Sequence, residues 1–385
     1  MRIEIDRIVE DVAAAEGLDD YGHPSYREAL DRLVTSAADE AELTPMGWSA
    51  LEGAVRGSLR NRLRVTGWHA QHPDLSRTPV EAPIFIVGLS RTGTTALSHL
   101  LARDPANRSL LMWEATDSVP PPSRATYDTD PRFERSKTAG LMLYQLNPEL
   151  KAMHYDPPDA PIECSALLGQ HFTSLSLSTI YNLPSYDAWL TSPEHDWRPT
   201  YDYHRQALQV LQSDHLGRWQ LKHPGHALAL DAIHETYPDA RFVVTHRDPV
   251  KAVASVCSLV NAFSSMFSDA DHRAYIAEHW TELVSAMIDG VLDYRDRHGD
   301  DAFHDMSYRE LVDDPVGAVA RLYDDFGLEL STEAEARMDA WATEHREGEH
   351  GRHTYSLDEF GLDRAELHER FARYFARYDV EREPV

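Results

Sequence analysis

A doubly wound, parallel α/β sheet flanked by helices is the fold predicted here, and three observations carry it. An apolar run suited to a buried strand, Ile84 to Val87, ends in Gly88 and passes through a polar turn into a helical pattern at Leu97, Leu100 and Leu101. A second joint of the same kind runs from Phe242–Thr245 through Asp248 and Pro249 into another helix, with Pro249 suited to its first turn. Short apolar stretches at 84–88, 110–113, 218–222, 241–246 and 302–306 alternate with helical patterns, as parallel strands with helical crossovers require. Ligands of such sheets bind beyond the carboxyl ends of the strands.

Ahead of the first strand, residues 1–75 read as a helical N-terminal extension packed on the core. Ile5, Ile8, Val9 and Val12 keep helical spacing, as do Leu30, Leu33 and Val34, and a third helix is expected from Trp48 to Val65. The stretch from His72 to Pro83 reads as a linker. Residues 76–385 then form a single P-loop-like α/β domain, because no glycine-rich or low-complexity spacer divides them. Within that domain, residues 117–215 break the alternation. Pro120-Pro121-Pro122, Pro157-Pro158 and several Tyr and Trp residues predict a cap of irregular helices and loops over the site.

The chain carries 64 acidic and 37 basic residues, a formal net charge of −27. Such a surface disfavours nucleic acid and anionic membranes. An anionic ligand must then be held by a few local cations. Cys164 and Cys257 are too few for a disulfide framework. The acidic N-terminus lacks a secretory apolar core, and no apolar run approaches a bilayer's thickness, so a cytoplasmic protein is expected.

The first joint is an anion site in outline, since a strand, a Gly-bounded turn and a helix start aim backbone N–H groups one way. Gly88-x4-Gly93 matches the nucleotide P-loop G-x-x-x-x-G-K-[ST], except that Thr94 stands where that loop has Lys. The cation lies inside the loop instead, at Arg91. Without the Lys that reaches the β and γ phosphates, a kinase or nucleotide hydrolase is the weaker reading. A nucleotide-binding protein without chemistry is the other alternative.

Ser90-Arg91-Thr92-Gly93-Thr94-Thr95 resembles the 5′-phosphosulfate loop of the sulfotransferases, P-[KR]-[ST]-G-T-T, with Ser90 in place of the usual Pro. The resemblance implies a bacterial-branch sulfotransferase that uses 3′-phosphoadenosine 5′-phosphosulfate (PAPS) and releases adenosine 3′,5′-bisphosphate, with no metal required. In that family an Arg and a Ser eight positions apart grip the 3′-phosphate, and Arg247 and Ser255 reproduce the interval. Lys222 is expected at another strand end. The tyrosylprotein sulfotransferases resemble this region, with a catalytic Lys ahead of a Pro, which implies that Lys222 stabilises the departing oxygen. The resemblance also implies a general base from the strand after the loop's helix. Glu114 is the candidate, with Trp113 beside it excluding water and raising its pKa. The segment holding Arg352, His353 and Tyr355 resembles the family's nucleotide-closing lid.

His154 and Glu163 fall in the expected cap and would orient the acceptor, with Trp113 as a further contact. His223 and His246 flank the two cations as secondary candidates for the base. The aromatic cap suits a sizeable, partly apolar alcohol such as a glycolipid, polyketide, sterol or phenol, and sugars remain open. Oligomeric state has no signal in the sequence.

Overall fold

The computed structural model describes residues 3–146, 159–345 and 356–383. Among these, five strands form one parallel sheet: β1 (Ile84–Ile86), β2 (Asn107–Ser109), β3 (Arg218–Lys222), β4 (Arg241–His246) and β5 (Phe303–Ser307). Their spatial order is β2-β3-β1-β4-β5. The chain leaves β1 for one half of the sheet, then crosses to β4 for the other. The switch point therefore falls between β1 and β4, where an α/β sheet opens a crevice at its carboxyl edge.

Alternation along the strands divides the core. Phe85, Val87, Trp219, Leu221, Phe242 and Val244 enter one apolar cluster, while Ile84, Ile86, Val243 and Met306 enter another with Leu97 and Leu100. Successive residues of a strand face opposite sides of the sheet, so two helical layers are needed to bury both. The observed architecture is the expected doubly wound α/β fold of P-loop type.

Three helices precede the sheet: α1 (Ile5–Glu16), α2 (Ser25–Asp39) and α3 (Pro45–Gln71). The Thr44 hydroxyl accepts the Gly47 N–H and Pro45 occupies the first turn of α3, which fixes that helix's start. Leu30, Leu51, Leu59 and Leu63 join the same cluster as Phe85. Arg62, 1% exposed, donates to Tyr21 O at 2.7 Å and lies over the rings of Tyr26 and Tyr203. Between β2 and β3, short helices such as Leu175–Tyr181 and Pro184–Leu190 lead to the longer Arg198–Leu211.

The strand expected at 110–113 is not formed. Strand β2 ends at Ser109, and helix α5 (Met112–Thr116) follows α4 (Thr94–Leu101) and β2 in chain order. The Glu114 carboxylate turns back to accept the Leu111 N–H at 3.4 Å and starts the helix. Leu111 instead makes an isolated antiparallel bridge with Pro161, so the backbone after β2 pairs with the returning chain and not with β3.

Candidate active site

Three adjacent strand ends build the site. Strand β1 runs into the loop Gly88–Gly93 and helix α4. A Cβ on Gly88 would lie 2.0 Å from Thr245 Oγ1 and 2.9 Å from the Thr245 amide, so only glycine lets the loop lie against β4. The Thr92 hydroxyl donates to Leu89 O at 2.6 Å and contacts Thr245 Oγ1 at 2.5 Å, closing the loop on itself and on β4. Arg91 stands at φ 69° and is exposed at the crown of the turn. Gly93, at φ 94°, caps α4, and a Cβ there would lie 2.8 Å from Leu311. Thr94 is buried, while Ser90 and Thr95 are partly exposed. The result is a rigid turn delivering the first amides of a helix to the carboxyl edge of the sheet.

Strand β3 contributes Lys222. Paired in register with Ile86, it shares a face with Gln220, and both side chains meet α4. Ser98 donates to Gln220 Oε1 at 2.9 Å, and Lys222 Nζ donates to Thr95 Oγ1 at 3.2 Å. The spacing Thr95–Ser98 places both hydroxyls on one side of the helix. Lys222 is 1% exposed, so its charge needs a partner. Glu163 supplies it at 3.6 Å, and Glu163 also meets His223 Nδ1 at 3.1 Å. Backbone pairing sets this contact: Glu163 bridges Lys222 in parallel and the Cys164 N–H donates to Lys222 O at 2.8 Å. The chain thus returns to the end of the sheet at residues 161–164 and carries Glu163 to the lysine. With Nδ1–H directed at a carboxylate, Nε2 of a neutral His223 is left as an acceptor.

Strand β4 ends in His246, and Arg247 follows. Its NH1 donates to Arg91 O at 3.0 Å, and its guanidinium lies 3.8 Å from the centre of the Tyr308 ring. The second cation is thereby anchored to the first loop. Asp248 caps the helix Pro249–Ser264 through Val250 N–H at 2.9 Å. Ser255 is buried two turns into that helix. Lys251, one turn from Arg247, joins it on Glu383. His246 is occupied on both ring nitrogens, by Tyr374 at 2.9 Å and Asp305 at 2.8 Å.

Glu114 has a different setting from the one expected. It is fully buried on α5 and bound to Arg108 at 2.7 Å, itself 3% exposed and stacked on Trp219. Burial raises its carboxyl above the ordinary value, against the opposing pull of Arg108. Among the described residues its carboxylate's polar contacts run to Arg108, Leu111 and Tyr127. Trp113 is buried against Arg132 and Tyr127. The expected contacts His154, Arg352, His353 and Tyr355 lie outside the described residues.

Thr245, Lys251 and Glu383 were not foreseen. A signal existed for Lys251, in the first turn of the helix that follows Arg247, and for Thr245, next to the last residue of β4. None existed for Glu383, which meets Arg247 across 136 positions.

Comparison with known proteins agrees with this architecture. The sequence model of the Sulfotransferase family matches residues 83–333, from the first strand to the start of the helix Thr332–Glu344. The crystal structure of sulfotransferase STF9 from Mycobacterium avium superposes with a TM-score of 0.91 at 33% identity, covering 99% of this chain and 98% of that one. Sulfotransferase STF1 from Mycobacterium tuberculosis H37Rv superposes with a TM-score of 0.85 at 35% identity, covering 96% and 99%. The omega-hydroxy-beta-dihydromenaquinone-9 sulfotransferase Stf3 of Mycobacterium bovis is 25% identical over 260 residues, 64% of this chain and 63% of that protein. The match therefore spans less than two thirds of that relative's length. On the family model over residues 83–333 and on the STF9 and STF1 structures at 33% and 35% identity, the chain belongs to the sulfotransferase family.

Proposed function

We propose that this sulfotransferase moves the sulfuryl group of PAPS to a hydroxyl of a partly apolar small molecule or lipid, by in-line transfer. One observation carries the reading. The loop Ser90–Thr95, Lys222 and Arg247 are knitted together at the switch point by contacts of 3.2 Å to Thr95 and 3.0 Å to Arg91. A nucleotide with phosphates at both ends of its ribose would span such a pair of grips. The residues fit it: the close approach of Gly88 to Thr245 and the left-handed Gly93 set the turn whose amides, at the start of α4, would take the 5′ end. Arg247 and Ser255 would take the 3′-phosphate, the Arg through its forked donors.

When bound, PAPS supplies a sulfuryl group on a phosphate oxygen able to depart with the bonding electron pair. Lys222 holds a positive charge in a buried position beside Thr95, where it offsets charge growing on that oxygen. Arg91 adds a second cation from the turn. Glu163, between Lys222 and His223, is the group we assign to the acceptor's proton, with His223 steadying its carboxylate. This reassigns the base from Glu114, whose carboxylate is committed to Arg108 and to capping α5.

The acceptor class draws support from Stf3, whose name specifies a hydroxylated dihydromenaquinone, and from the aromatic residues of the 117–215 region. No helix among the described residues is long and apolar enough to cross a membrane. Incubating the protein with PAPS and a panel of hydroxylated lipids, phenols and sugars, and following sulfated product by mass spectrometry, tests the proposal. A product from at least one acceptor, lost in Lys222→Ala, is expected. Transfer that persists in Lys222→Ala would refute the lysine's role.

A further inference from the structure

An acid sits on the cation pair at the end of β4. The Glu383 carboxylate accepts from Arg247 Nε at 2.7 Å, from Arg247 NH2 at 2.9 Å and from Lys251 Nζ at 2.8 Å. Its amide donates to Asp248 Oδ2 at 2.8 Å, and its carbonyl accepts from Arg364. The contact is semi-enclosed, with side-chain exposures of 13% for Arg247, 22% for Lys251 and 24% for Glu383. Residues 379–383 form neither helix nor strand, so the acid arrives on an irregular strap. Two oxygens shared between a guanidinium edge and an ammonium reproduce the contacts a phosphate makes to the same groups. Burial alone would raise the Glu383 pKa, but hydrogen bonds from Arg247 and Lys251 outweigh it and hold the carboxyl below its ordinary value. The acid is ionised at neutral pH.

The remaining sides of the guanidinium point elsewhere. NH1 is directed at Arg91 O and one face covers Tyr308, while the forked Nε–NH2 edge, the geometry that suits a phosphate, holds the carboxylate. A phosphate at that edge would stand beside the carboxylate, and like charges so close repel. Resting on the assignment of Arg247 to the 3′-phosphate, we infer that Glu383 is an internal competitor for this subsite. It occupies the Arg247–Lys251 pair in the nucleotide-free protein and is displaced by the nucleotide's 3′-phosphate. Lys251 is then a phosphate-binding residue in its own right. Affinity for the nucleotide is lowered by the fraction of molecules with the strap closed, which opposes product retention as much as donor binding.

Calorimetric titration of wild type, Glu383→Gln and Glu383→Ala with adenosine 3′,5′-bisphosphate and with adenosine 5′-monophosphate tests this without any turnover. A strap closed about nine times in ten predicts that both variants bind the bisphosphate about tenfold more tightly, with monophosphate affinity unchanged. Unchanged or weakened bisphosphate binding overturns the inference, since Glu383 would then be a bystander or a brace that positions Arg247. An Arg247→Ala arm separates the two layers. Loss of the preference for bisphosphate over monophosphate supports the underlying assignment. Retention of that preference removes the assignment and the competitor together, whatever the Glu383 variants do.

Discussion

Glu163 and Glu114 are acids of the same type near the same edge of the sheet, and their neighbours separate them. Glu163 is 27% exposed at the side chain and pairs with a lysine and a histidine at the mouth of the crevice. Glu114 is sealed against Arg108. Removing one partner of a buried ion pair leaves the other charged and undersolvated, which costs about 3–5 kcal/mol. Glu114→Gln is therefore expected to lower unfolding free energy by roughly that amount in a denaturant titration. Full stability in that variant, with turnover abolished, would restore Glu114 as the base. Glu163→Gln should keep its fold and its bisphosphate affinity while kcat falls by about 10²- to 10⁴-fold. Steady-state kinetics beside calorimetry read the two quantities separately, and a kcat near wild type would exclude the assignment.

The strand–turn–helix joint is the unit that makes an anion site, and both joints were legible in the sequence because their signals are local. Gly88, Gly93 and the apolar runs on either side define the first; Asp248 and Pro249 define the second. The joint's rigidity rests on the contact between Gly88 and Thr245. Gly88→Ala should push the loop off β4 and weaken bisphosphate binding by at least about tenfold, the cost of strained backbone or displaced neighbours. Native-like circular dichroism with unaltered affinity would contradict this. The segment 110–113 was misread for a physical reason. Leu110, Leu111 and Trp113 are apolar as a buried strand is, but Leu110 and Leu111 pair through their backbone with Pro161 and Ile162, and nothing nearby in sequence announces that pairing. The same applies to the link between Glu163 and Lys222, which depends on where the chain returns to the sheet. Residue type was legible there; partnership was not.

At the scale of the whole molecule, the N-terminal helices and the sheet share one apolar cluster. Asn61 ties α3 to Ala115 O, Ser118 and Gln170 at 2.8–3.0 Å. Acid sensitivity follows from the interior. Burial lowers the pKa of His195 and His279 to about 4, of His204 to about 3, and of His171 and His226 well below the ordinary 6.5. These histidines stay neutral when folded and take protons when unfolded, so stability present above pH 6.5 is lost as pH falls towards the folded values. Each contributes up to about 1.4 kcal/mol per pH unit in that window. Asp187 and Glu114 act oppositely, because burial raises their carboxyls, that of Asp187 to about 7, but they are two groups against five. Scanning calorimetry should show Tm falling between pH 7 and pH 5. A flat or rising Tm would mean that the histidines are protonated in place.

Two phosphate grips, at the ends of β1 and β4, define the proposed donor site. Isothermal titration with adenosine 3′,5′-bisphosphate in a chelating buffer, against ATP with Mg²⁺, measures them directly. The bisphosphate should bind without metal and at least about tenfold more tightly than adenosine 5′-monophosphate, a margin worth about 1.4 kcal/mol. No heat from the bisphosphate, together with tight uptake of ATP and Mg²⁺, would contradict the account.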